Sequence, residues 1–182
     1  MKTHPLNFFG FCPHCGSEQF AVKSAKSKKC SQCGFEYFIN AAAAVAGFVF
    51  NERNELLLCR RAFEPAKGTW DLPGGFVDLG ETAEQAVCRE LMEELNIQPT
   101  AVNYLFSLPN EYLYSGFTVH TLDLFFKIQV EKMNKLICSD DVCELKFVPL
   151  NEVKPSEIGL LSIRKAVEIF LQQPKNKRYH WV

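Results

Sequence analysis

The pattern of polar and apolar positions changes character near Asn40. Before it, short polar stretches surround four cysteines and show little apolar periodicity. After it, Ala41 to Phe50 is an unbroken apolar run of about ten residues. The run is short and ends in aromatic and β-branched residues, which predicts a buried strand rather than a helix. Asn51 to Asn54 predicts a turn, and Glu55 to Cys59 the returning strand. Lys67 to Gly75 reads as a loop with one short extended piece. Thr82 to Leu95 is the strongest helix. Thr82 and Gln85 match a capping box, no Gly or Pro interrupts the segment, and Asn96 supplies a stop. Strands are expected at 101–108, 118–130 and 145–149. Pro155 opens a second helix to about Gln172, with Ile158, Leu161, Ala166, Ile169 and Phe170 at three- and four-residue steps. From Lys175 the chain reads as a basic, aromatic tail. These segments predict two domains, 1–40 and 41–182, without internal repeats.

Composition narrows the class. A chain of 182 residues suits one domain with a small appended module. Apolar residues at 47% are enough for a core, and 23% charged residues argue against disorder. The net charge of −1, with no long run of one sign, makes nucleic acid an unexpected partner. The first residues carry no apolar signal region, and no apolar run is long enough to span a bilayer as a helix. A cytoplasmic protein without a membrane partner is expected, so the eight cysteines need a reason other than disulfides.

Four of them have one. Cys12-Pro-His-Cys15 and Cys30-Ser-Gln-Cys33 are paired knuckles, each followed by a glycine, Gly16 and Gly34. Two such turns close a tetrahedron of thiolates around Zn²⁺ and leave no open position, so the metal is expected to be structural. His14 reads as a surface residue. Lys23, Lys26, Lys28 and Lys29 between the knuckles read as a solvated hairpin tip. Cys59, Cys88, Cys138 and Cys143 are scattered and read as apolar packing.

The second candidate chemistry lies on the first helix. At about 100° per residue, Glu90, Glu93 and Glu94 fall on one arc, and Val87, Leu91 and Leu95 on its neighbour. Like charges at this spacing repel, which points to a counter-ion. Hard oxygen ligands suit Mg²⁺ or Mn²⁺. Taken alone, the same face fits a solvated acidic surface equally well. It is preceded by Gly74-Gly75, where backbone can approach a ligand closely. The full spacing runs Gly75, five residues, Glu81, seven residues, Arg89-Glu90-Leu91, one residue, Glu93-Glu94, one residue, Asn96-Ile97. It arises by chance in on the order of one chain in 10⁵.

This pattern resembles the signature of the Nudix hydrolase family over about residues 41 to 173. The chain departs from it once, with Asn96 where the family usually has Gly. The resemblance implies an α/β/α sandwich with a mixed sheet. It also implies hydrolysis of a nucleoside diphosphate linked to another group, a small-molecule nucleotide substrate, and a homodimer. Carried over, Glu90, Glu93 and Glu94 become ligands of Mg²⁺ or Mn²⁺. Arg89 and Glu81 hold the helix and its carboxylates in place, and a carbonyl of Gly74 or Gly75 completes the coordination. Glu90 is the first candidate for base. Asp140, Asp141 and Glu144 are where the family often supplies one more acid.

A zinc ribbon ahead of the domain is similar to the NADH pyrophosphatase branch. That branch carries Ser-Gln-Pro-Trp-Pro-Phe-Pro after the signature, and this chain has Phe106-Ser-Leu-Pro-Asn-Glu-Tyr112 instead. Tyr112, Tyr114 and Phe117 are candidates for stacking on a base, and Glu111 for reading a base edge, although packed strand residues fit as well. The leading function is cleavage of the pyrophosphate of ADP-ribose, NADH or a similar dinucleotide. The alternatives are a non-catalytic nucleotide sensor and a nucleic-acid-binding ribbon with a degenerate partner domain. The complete acidic set argues against both.

Overall fold

The computed structural model describes residues 4–130, 136–138 and 142–172. Asp140, Asp141 and the tail from Lys175 lie outside the described residues. The chain divides into two compact units, residues 1–41 with 112–120, and residues 42–111 with 121–182.

In the first unit, β1 (Phe20–Ser24), β2 (Ser27–Cys30) and β3 (Glu36–Phe38) form an antiparallel sheet in the order β1-β2-β3. Cys12, Phe20 and Cys30 are its buried kernel, with Phe35 against them. Phe117 packs edge-on against Phe8 and Phe9, with ring centroids 6.2 and 5.9 Å away. The expected solvated lysine tip needs correction at Lys28. This residue is buried, donates to the Phe9 carbonyl and lies 5.0 Å from the Phe20 ring centroid. An aromatic face and a carbonyl offer its stem and head more than a β-turn does. Lys23 is tied to Glu36 at 2.6 Å.

The second unit contains β4 (Ala42–Val49), β5 (Glu55–Arg61), β6 (Trp70–Asp71), α1 (Ala83–Leu95), most of β7 (Ala101–Tyr114) and β8 (Phe117–Gln129), β9 (Val142–Pro149) and α2 (Leu161–Gln172). One sheet runs β4-β8-β7 and another β6-β5-β9. β4 and β8 are parallel, with Ala42 opposite Thr121 and Val49 opposite Ile128. β5 is antiparallel to β6 and β9. This is the mixed α/β architecture expected. Period-two alternation sorts the strand side chains between two cores. Phe48, Leu56, Leu58 and Phe125 join Ile163, Ala166 and Val167 of α2. Val49, Leu57, Cys59 and Phe126 join Val87, Leu91 and Leu95 of α1. Strands covered on both faces have no polar alternation, which explains the unbroken apolar runs.

The boundaries differ most at the end of β7 and the start of α2. β7 continues to Tyr114 through Pro109 because it is an edge strand, where a missing N–H costs no ladder bond. It turns into β8 through Ser115 and Gly116, both at positive φ, as a two-residue hairpin requires. α2 begins at Leu161 rather than Pro155. Pro155–Glu157 is a 3₁₀ turn, and Ile158 then bridges to Trp70. At Gly159 a Cβ would overlap the Thr69 hydroxyl, so packing interrupts what periodicity reads as one helix. No described helix is long and apolar enough to cross a membrane.

Candidate active site and zinc centre

The acidic site is assembled by α1 and the loop before it. Thr82 and Gln85 complete the capping box, with the Thr82 hydroxyl accepting from the Gln85 N–H at 3.2 Å and Gln85 Oε1 from the Thr82 N–H at 2.8 Å. Asn96 ends the helix in the left-handed region at φ 56°, a conformation Asn tolerates in place of Gly. Ahead of the helix, residues 73–77 run along β4. Gly47 N–H donates to Pro73 O, Val45 N–H to Gly75 O and Val77 N–H to Ala43 O. Gly74 sits at φ 150°, and a Cβ there would overlap the Val45 carbonyl. A Cβ at Gly75 would overlap the Glu90 carboxylate. The two glycines let the loop lie between a strand and an acid.

Arg89 organises the carboxylates. Its Nε and Nη2 bind both oxygens of Glu81, each at 3.0 Å. Nη1 donates to Glu90 Oε1 at 2.9 Å and Glu93 Oε2 at 3.0 Å, and Nη2 also donates to the Phe76 carbonyl at 2.9 Å. All five guanidinium donors are engaged. The Arg89 bonds and the Asp78 backbone N–H hold the Glu81 carboxyl below its usual range. Burial pushes Glu90 up against the opposing pull of Arg89. Glu94 is 6% exposed and accepts from the Gly74 N–H at 3.3 Å. Glu81, Glu90 and Glu93 thus gather around a single guanidinium, Arg89, while Glu94 is held by the Gly74 backbone. An acid-rich set of hard oxygens, one of them buried, fits a divalent cation such as Mg²⁺ or Mn²⁺.

Beside Glu94 lies a group that the spacing argument passed over. A cavity of about 30 Å³ is lined by Cys59, Arg61, Asp71, Gly74 and Glu94, among others, with room for one or two waters. Arg61 Nη1 donates to Asp71 Oδ2 at 2.7 Å, and its Nε to the Pro65 carbonyl at 2.7 Å. Burial raises the Asp71 carboxyl to about 6 despite Arg61. It also raises the Cys59 thiol, helped by the charges of Glu94 and Asp71. Strand alternation held a signal, because Arg61 continues the inward row of Leu57 and Cys59.

The other candidates lie on β7 and β9. Glu144 pairs with Arg60 at 3.2 Å, and the Arg60 guanidinium lies over the Trp70 ring. Arg60 is in register with both Trp70 and Glu144, and Trp70 belongs to the core on the α2 side. Glu111 is exposed on β7, and Tyr112 and Tyr114 belong to the ribbon's unit.

In that unit the four thiols of Cys12, Cys15, Cys30 and Cys33 lie within 4.8 Å of one another. The Cys12–Cys33 and Cys15–Cys30 sulfurs are 3.7 Å apart, and a zinc tetrathiolate with bonds near 2.3 Å has edges of about 3.8 Å. Gly16 and Gly34 stand at φ 75° and 78° as the knuckles require. Backbone N–H groups of Cys33 and Gln32 outweigh burial and draw the Cys30 thiol down to about 6. The sulfur cage fits Zn²⁺. His14 is exposed and stacks on Phe35, outside the ligand set.

The NUDIX domain model matches residues 40–168. The chain belongs to the NUDIX family. It is 31% identical over 154 residues to the ADP-ribose pyrophosphatase of Methanocaldococcus jannaschii, covering 84% of this chain and 82% of that protein. It is 34% identical over 113 residues to the NAD-capped RNA hydrolase NudC of Klebsiella pneumoniae, covering 62% of this chain. Here the NUDIX chain spans only 43% of the relative's length. A NUDIX hydrolase structure from Nitrosomonas europaea superposes with a TM-score of 0.66 over 89% of this chain and 90% of that one, at 23% identity, a likeness of fold.

Proposed function

We propose that this NUDIX protein hydrolyses the pyrophosphate bond of a nucleoside diphosphate derivative, with ADP-ribose the first substrate to test and NADH and related dinucleotides next. The observation that carries the reading is the gathering of Glu81, Glu90 and Glu93 by Arg89, with Glu94 against the Gly74 backbone. The likeness to an ADP-ribose pyrophosphatase over most of both chains supports the choice of substrate. Bound Mg²⁺ or Mn²⁺ supplies charge neutralisation of the phosphate oxygens and lowers the pKa of water. Glu90, Glu93 and Glu94 hold the cations, with the Gly74 carbonyl. Arg89 and Glu81 fix the directions of Glu90 and Glu93, so little reorganisation is left for the reaction. Glu90 accepts the proton of the attacking water, and burial suits it to that task. The water oxygen bonds to one phosphorus, the bridging P–O bond breaks, and ADP-ribose leaves as AMP and ribose 5-phosphate. The four-cysteine cage holds structural Zn²⁺, and cysteines that serve as metal ligands rather than disulfides suit the reducing cytoplasm. Two functional domains, 1–40 and 41–182, and a homodimer complete the reading.

The test is release of AMP from ADP-ribose, NADH, NAD and FAD, beside nucleoside triphosphates, in Mg²⁺ or Mn²⁺. Glu94→Gln and Glu90→Gln are each expected to lower kcat by at least about 10²-fold. Unchanged turnover in both variants overturns the assignment.

A further inference from the structure

We infer that Lys28 is the counter-charge of the zinc centre, a positioning residue whose buried ammonium stabilises the four-thiolate cage from inside the ribbon. The inference rests on the zinc reading in the proposed function and deepens it.

Lys28 is 8% exposed, whereas Lys23, Lys26 and Lys29 around it are exposed. Burying an ammonium is costly unless an opposite charge compensates it. Lys23 has Glu36 at 2.6 Å. Among the described residues, the Lys28 ammonium has the Phe9 carbonyl and, 5.0 Å from its centroid, the Phe20 ring, and no carboxylate pairs with it. A carbonyl and a ring carry partial charges only. Following β2 finds the missing charge. Lys28 and Cys30 stand two residues apart on this strand, so their side chains share one face of the sheet, and Lys29 between them turns to the other. Such a pair has Cα atoms about 6.6 Å apart. In the β1–β2 register Phe20 lies opposite Cys30, and Val22 opposite Lys28. The Phe20 ring joins the two groups. It packs with Cys12 and Cys30 in the buried kernel and takes the ammonium over its face. Ring and backbone, rather than water, therefore lie between cation and cage, and screening is weak. Four thiolates around Zn²⁺ sum to about −2, which is the charge the ammonium lacks. The coupling is reciprocal: the cation raises the affinity of the cage for Zn²⁺, and the filled cage keeps the cation inside.

The decisive measurement is the zinc affinity of the full chain, by competition with a chromophoric chelator, with circular dichroism of the zinc-loaded protein as the check on folding. Lys28→Gln removes the charge and keeps a donor for the Phe9 carbonyl, and Lys28→Met removes both. Each is expected to weaken Zn²⁺ binding by about tenfold or more, as losses around a ligand set do. Lys28→Arg keeps the charge and is expected to retain most of the affinity. Lys29→Met removes the same charge one residue away on the exposed face, where solvent limits the loss to about threefold. Equal loss in Lys28→Gln and Lys29→Met makes the net charge of the module the cause and overturns the inference. Loss in Lys28→Met alone makes the Phe9 hydrogen bond the cause and overturns it too, as does a loss in Lys28→Arg as large as in Lys28→Gln. If Lys28→Met does not fold, Lys28→Gln decides. Native chain that holds one zinc, with Lys28→Gln indifferent, sinks this inference alone. Native chain that holds no zinc sinks the four-thiolate reading and this inference together, while the acidic site and its proposed chemistry stand.

Discussion

Asp71 shows at residue scale how a carboxyl is set by what covers it. Its folded pKa, raised by burial to about 6, exceeds that of the unfolded chain, near 3.8. The folded state therefore holds this proton more tightly. The stabilisation is complete below the unfolded value and is lost as pH rises through about 6. Denaturant unfolding between pH 4 and 7 is expected to show native stability falling with pH more steeply than that of Asp71→Asn, by roughly 3 kcal/mol at most. Parallel curves would exclude a perturbed Asp71. Glu81 has the opposite sign: its carboxyl is held low by Arg89, so its contribution is lost as the medium becomes strongly acid. Glu90, Glu93 and Glu94 were legible in the sequence because helical spacing puts them on one arc of α1, while Arg89 and Glu81, which lies ahead of the helix, were legible only through their spacing in the signature. Arg61 and Asp71 were not, since ten residues separate them and only the pairing of β5 with β6 brings them together.

At the scale of elements, α1 is the best determined piece because its signals are local. The capping box, the apolar arc and the left-handed Asn96 all lie within the helix and its ends. Thr82→Ala removes the hydroxyl acceptor and is expected to cost about 1 kcal/mol in denaturant unfolding. A change under a few tenths would mean that the loop, and not the cap, fixes the helix start. α2 shows the limit of periodicity. Its apolar steps run back to Ile158, yet the packing of Gly159 against Thr69 is tertiary and delays the helix start to Leu161. β7 makes the same point from the other side, because Pro109 reads as a break unless the strand is known to lie at an edge.

At the scale of the whole molecule, the proposed function gives two kinds of donor set two purposes: sulfur would close a cage on one ion, and oxygen would leave room for a substrate. Cys30→Ser is expected to bring zinc content well below one ion per chain and to lower the melting temperature, while kcat per folded molecule changes far less. Full zinc occupancy in that variant would refute a four-thiolate site. The ribbon is not a detachable cassette, because the tip of the β7–β8 hairpin is grouped with residues 1–41. A chain cut at residue 42 would keep Phe117 but lose Phe8 and Phe9, leaving a bare aromatic ring. Loss or exchange of the ribbon during evolution therefore demands a matching change some seventy residues downstream, so the two stretches should be inherited together.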